Sequence, residues 1–157
     1  MDFEIPAAFV SSEREGSEVG ELIGRAPTIP FRVALRSEKG RALVIESFPI
    51  RPSGYPNPDW FWLVDRDLIR AVGRLESQGG VSEAERVFSS VLPSIHNAYR
   101  AGRNSLVAHY GDRYLAAGGV GGAKNGVKCL HSHLAYYLVG GFNPVGEWVA
   151  KKISLNP

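Results

Sequence analysis

The chain has 157 residues, 44% of them hydrophobic and 22% charged, with a formal net charge of +2. These are the values of one globular domain with a real core. They exclude a transmembrane helix, because no apolar run approaches the roughly 18 residues that a span needs. A single cysteine excludes an internal disulfide and fits a reducing compartment.

Residues 1–30 read as an acidic arm, six acids against two bases, punctuated by Gly16, Gly20, Gly24, Pro27 and Pro30. A short helix near Ser17–Ile23 is the element to expect there, either docked or part of a partly ordered tail. Ala7–Val10 is too short for the apolar stretch of a signal peptide, so a cytoplasmic location is expected. The remaining residues carry sixteen bases against ten acids, and thirteen of the eighteen bases in the whole chain are arginine. That excess suits a small anionic ligand and is too weak to indicate duplex nucleic acid.

From Phe31 the alternation of Phe31, Val33 and Leu35 with Arg32 and Arg36 predicts a strand, Ser37–Gly40 a turn, and Ala42–Ile45 the returning strand. Pro49–Asp59 holds four prolines and must be a shaped loop. Trp60–Val64 predicts a third, central strand, whose tryptophans are either core or the wall of a pocket. Asp65 caps a helix expected over 66–78, with Arg66, Arg70 and Arg74 along one face. Gly79-Gly80 ends it, and Ser82 with Glu85 forms a capping box opening a helix that stops before Pro93. A helix over about 94–110 lines up His96, Arg100, Arg103 and Val107 on a second face, an anion clamp if turned inward and a hydrated surface if not.

The densest signal lies beyond. Five glycines fall between Gly118 and Gly126, followed by Lys128, Cys129, His131 and His133. A helix expected over about 126–139 places Val127, Leu130, Leu134 and Leu138 on a core stripe with His131. Cys129, Ser132, His133 and Tyr136 fall on the opposite face. On that wheel Cys129 meets His133, at i and i+4, and not His131. Three roles for Cys129 stay open: a nucleophile near Lys128 and His133, a metal ligand with His133 plus His96, His109 or a carboxylate, or a buried small hydrophobe. His131 is either a satisfied core residue or an acid or base facing a pocket. The loop matches neither phosphate-binding fingerprint: no Ser or Thr follows Lys128, and Lys124 stands where a third glycine belongs. Gly140-Gly141 stops the helix, and Asn143-Pro144 starts the last one, packed through Val145, Trp148, Val149 and Ile153.

These segments resemble a known family. GVGG at 119–122 with Gly118 before it, GVKCLHSHLAYYL at 126–138 and GGFNPVG at 140–146 are similar to the bacterial family called domain of unknown function 501. WFWLV, the RLE at 74–76 and the His96/Tyr99/Arg103 helix agree in order and spacing, so the resemblance spans about residues 30–150. It singles out Arg74, Glu76, His96, Lys128, Cys129, His131, Asn143 and Pro144. Many members carry a Cys-Pro-Cys element ahead of the strand, where this chain has Phe48–Gly54 and no cysteine. Members are often encoded near cell-division and polyphosphate or phosphatase genes.

The sequence therefore predicts an α+β domain over 31–152, an antiparallel sheet of about three strands against four to five helices, with an arm at 1–30 and a tail at 153–157. The candidate pocket lies at the glycine loop. Cys129, His131 and His133 are the candidate catalytic residues. Gly119, Gly121, Gly122, Lys128, Arg74, His96, Arg100, Arg103 and Asn143 are the candidate contacts to a small anionic or phosphorylated ligand. No motif names a cofactor or a metal ligand set. The alternatives are an interaction module, linked to cell division by the resemblance, with structural Cys and His, or a small metal-binding domain.

Overall fold

The computed structural model describes residues 4–155. In chain order they form α1 (Glu13–Ile23), β1 (Phe31–Arg36), β2 (Ala42–Ser47), β3 (Phe61–Leu63), α2 (Arg66–Ser77), α3 (Gly80–Phe88), α4 (Leu92–Ser105), α5 (Leu130–Leu138) and α6 (Pro144–Lys152). The three strands make one antiparallel sheet in the order β1-β2-β3. The class is α+β, with five helices following the sheet.

Alternation along the strands gives the sheet two apolar faces. Phe31, Val33, Ile45 and Trp62 pack against Val19, Leu22 and Ile23 of α1. Val44 and Leu63 face the main core, which is built with Val72, Ile95, Leu130, Leu134 and Val149 from the helices. Tertiary packing thus converts an acidic arm into a docked helix. Ser12 and Glu15 close a reciprocal capping box at its start, and the Glu18 carboxylate accepts from Arg36 and from the Ala42 amide.

Several local expectations need correction. The Trp60–Val64 segment is the sheet edge and β2 is central; α5 packs against β3, and α6 packs on α5. Helix α3 starts at Gly80 behind a left-handed Gly79, so Ser82 and Glu85 make no capping box. Glu85 instead accepts the Val127 amide at 3.0 Å. Helix α4 ends at Ser105, and the following residues form 3-10 turns at Ala108–Tyr110 and Asp112–Tyr114.

The Pro49–Asp59 loop is fixed from outside by Arg103, which is fully buried. Its guanidinium donates to the carbonyls of Asn57 (3.2 Å), Pro49 (3.0 Å) and Tyr114 (2.7 Å). The loop also pairs across itself, Arg51 N–H to Tyr55 O and Asn57 N–H to Pro49 O, both at 2.8 Å, and Arg103 adds the further donors that its buried carbonyl groups need. The same bonds set the position of Asp59 at the loop's end.

Candidate functional site

The glycine loop closes on itself. The Gly119 amide donates to Ala123 O (2.7 Å), Gly122 to Gly119 O (2.9 Å) and Ala123 to Val120 O (3.1 Å). The Val120 amide donates to Nδ1 of His96 at 3.1 Å. A Cβ on Gly119 would stand 2.3 Å from that nitrogen, so only glycine lets the loop reach the imidazole. Gly121, at φ 63°, lies against Ser132 and Cys129. The anion nest expected here is therefore not available through the Gly119, Val120, Gly122 and Ala123 amides: three close the loop on itself, and that of Val120 is taken by His96.

Helix α5 begins at Leu130, later than the helical periodicity suggested. The Cys129 amide donates to Val127 O at 2.7 Å, a tight turn with Lys128 at φ 62°. A non-glycine residue there costs roughly 1–3 kcal/mol. Cys129 itself is extended, at φ −143° and ψ 116°, and occupies the N-cap. The 100° helical rotation does not apply to it. The expected Cys129–His133 pairing is replaced by Cys129–His131, with Sγ 3.9 Å from Nδ1.

Glu76, in the last turn of α2, completes the cluster. Its Oε1 accepts the Leu130 amide at 3.0 Å and lies 3.0 Å from Nδ1 of His131. Nε2 of His131 lies 3.2 Å from the Ile69 carbonyl oxygen. Both neighbours of the ring are acceptors, so both ring nitrogens must carry hydrogen, and His131 is an imidazolium in this arrangement. The Cys129 side chain raises its pKa, burial opposes this, and the charges of Cys129 and Glu76 raise it further, to about 9. Burial pushes the Cys129 thiol up, but His131 and the backbone and side chain of Ser132 together outweigh it, and the net shift is downward. The two shifts run in the directions that favour a charged sulfur and a charged ring side by side.

The pair opens into a cleft of about 310 Å³ lined by Asp59, Phe61, Trp62, Leu63, Ile69, Cys129, His131 and Ser132. That volume holds a small ligand. Burial raises the pKa of Asp59, while the charges of Lys128, Arg51 and Arg103 pull it down. Lys128 is exposed beside Gly122 and makes no ion pair among the described residues. A second cavity, about 330 Å³, lies across Trp62 and Ile69 towards α1, and its walls hold no cysteine, histidine or carboxylate.

The other expected site residues go elsewhere. His133 is fully buried on the far side of α5. Asn143 donates through Nδ2 to its Nδ1 (2.9 Å) and carbonyl (3.2 Å), and caps α6 by accepting the Gly146 amide (3.1 Å). Burial dominates there, and the His133 pKa falls to about 4. His96 accepts from Val120 and donates through Nε2 to Gly126 O (2.8 Å), a neutral imidazole tying loop to helix. Arg103 pins the proline-rich loop. Arg100 donates to Ala117 O at 2.7 Å and to Asn97, and Arg74 is exposed on α2. Of the residues expected to gather, the structure brings together Cys129 and His131, with Gly121 against them and Lys128 next to them. Glu76 and Asp59 stand at the cluster and its cleft although they lie outside that helix, and Ser132 stands there on the face it was expected to share with Cys129. Glu76 was marked only by the family resemblance.

Fold and cluster define the class: an α+β domain with a half-buried Cys–His–Glu centre at the mouth of a cleft. The chain belongs to the family described as protein of unknown function DUF501, whose model matches residues 33–151 and so spans every member of the cluster. No curated protein and no solved structure is significantly similar to it. Among the described residues no helix is long and apolar enough to cross a membrane.

Proposed function

We propose that the chain is a small-ligand-binding, enzyme-like domain whose reactive group is the Cys129 thiolate. The observation that carries this reading is the convergence of Cys129 Sγ, His131 Nδ1 and Glu76 Oε1, with Cys129 and His131 on the wall of a cleft. A buried packing cysteine needs no such partners. In the proposed chemistry the thiolate gives its electron pair to an electrophilic centre of the ligand. The proton on Nδ1 of His131 passes to the leaving group, and Glu76 holds the ring in place. Lys128, a cation without an ion pair beside the cleft, would take an anionic or phosphorylated substituent, the role first expected of the loop amides.

Alkylation of Cys129 by iodoacetamide, followed against pH in chelator-treated protein with and without phosphate, tests the reading. A single thiol makes the signal unambiguous. The expected rate titrates below the ordinary thiol value of about 8.5 and is slowed by phosphate. A thiol silent until denaturant is added would make Cys129 a packing residue and favour an interaction module.

A further inference from the structure

We infer that the same three side chains form a site for one divalent transition-metal ion of zinc's class, bound through Cys129 Sγ, His131 Nδ1 and Glu76 Oε1. The inference rests on the reading of this cluster as the functional centre and names what occupies it. Among the described residues this is the one group of three His, Cys, Asp or Glu whose donor atoms all lie within 4.8 Å of one another.

Distances come first. Ideal tetrahedral zinc bond lengths require about 3.6 Å between sulfur and nitrogen and about 3.4 Å between nitrogen and oxygen. The observed separations are 3.9 and 3.0 Å, so the first must shorten by about 0.3 Å and the second lengthen by about 0.4 Å. Side chains 26% and 29% exposed, as those of His131 and Glu76 are, have room for that adjustment.

Orientation is the second observation. A metal-bound imidazole usually donates its other N–H to a carbonyl or carboxylate, which fixes the tautomer. His131 has that arrangement already, with Nε2–H on Ile69 O at 3.2 Å and Nδ1 turned towards the other two donors. The Leu130 amide, donating to Oε1 at 3.0 Å, orients the carboxylate in the same way.

Charge and donor type complete the case. A thiolate, a carboxylate and a neutral imidazole sum to −2, which one divalent ion cancels. The proton on Nδ1 occupies the metal's place and leaves as the metal enters. Sulfur, nitrogen and oxygen together favour a borderline ion over magnesium or calcium. Three protein ligands leave a fourth position open, and two of them, Cys129 and His131, also line the cleft where Asp59 and Ser132 stand.

The test is titration of the chelator-treated full chain with Co²⁺, read by absorption, and displacement by Zn²⁺. One equivalent is expected, with a thiolate-to-cobalt charge-transfer band and tetrahedral d–d bands. The band is lost in Cys129→Ser, and affinity falls by at least about tenfold in His131→Asn and Glu76→Gln. Circular dichroism checks that each variant is folded. Should a variant unfold, the wild-type chain alone decides: Zn²⁺ slows Cys129 alkylation by at least about tenfold at neutral pH. Cobalt binding without a sulfur band, or a thiol that alkylates equally fast with Zn²⁺ present, overturns the metal site. In the second case a fast, low-pKa thiol leaves the nucleophile reading standing. A thiol silent in the chelated protein overturns both.

Discussion

His131 and His133 sit two residues apart on one helix and belong to different parts of the molecule. His131 faces the Glu76 side chain and the Cys129 sulfur at the edge of a cleft, and its pKa rises to about 9. His133 faces Asn143 and the edge of the His96 ring in the interior, and its pKa falls to about 4. The ring is the same, and its surroundings decide its state. A half-buried imidazole with anionic partners holds its proton, whereas a fully buried one with a neutral amide partner does not. The first stays charged beside the cleft, while the second fastens α5 to α6 through Asn143.

Mutations on the interior side should cost the most stability. At Gly146 an added Cβ would stand 2.4 Å from both the His133 carbonyl and the Tyr137 side chain. Gly146→Ala is expected to destabilise by about 3 kcal/mol, because two packed helix backbones must separate. Denaturant unfolding measures this, and an unchanged midpoint would contradict the close approach. Asn143→Ala removes a helix cap and the partner of a buried imidazole, for about 2 kcal/mol in the same assay.

On the cleft side stability should move little and reactivity much. His131→Gln is expected to change stability by less than about 1 kcal/mol, since the pair is partly exposed. Its Cys129 alkylation rate at pH 7 should fall roughly tenfold in metal-free protein. A large loss of stability with no change in rate would reverse the assignment of the two histidines.

The smallest effects are in pH dependence, and the two rings give opposite signs. A raised His131 pKa adds stability that is complete below the ordinary value of 6.5 and is lost as pH rises through about 9. A lowered His133 pKa gives stability that is complete above 6.5 and is lost as pH falls towards about 4. Thermal midpoints of His131→Gln and Asn143→Ala, compared with the parent chain across pH 4–9, separate the two windows.

Much of the architecture was readable from pattern. The β-hairpin, the Asp65 cap, the Gly140 stop and the Asn143-Pro144 start all follow from local rules and stand in the structure. Competition between local signals was not readable. Ser12-x-x-Glu15 and Ser82-x-x-Glu85 have the same spacing, yet only the first forms a box, because α3 starts two residues before Ser82, and Glu85 accepts the Val127 amide instead. Nor does a helical wheel foresee that Lys128 takes a positive φ and leaves Cys129 outside the helix. That one turn moves the thiol from His133 to His131. Glu76 reaches the cluster from 53 positions upstream of Cys129, by packing of α2 on α5, and no spacing rule encodes it.

The most direct measurement is the ring-nitrogen and ring-carbon NMR spectrum of the histidines, followed against pH in chelator-treated protein and assigned with His131→Gln. His131 is expected to be doubly protonated at neutral pH and to titrate near 9. His133 is expected to stay neutral, with hydrogen on Nε2, down to about pH 4. If His131 titrates near 6.5 without sensing Cys129 or Glu76, no ion pair stands at the cleft, and the central claim fails.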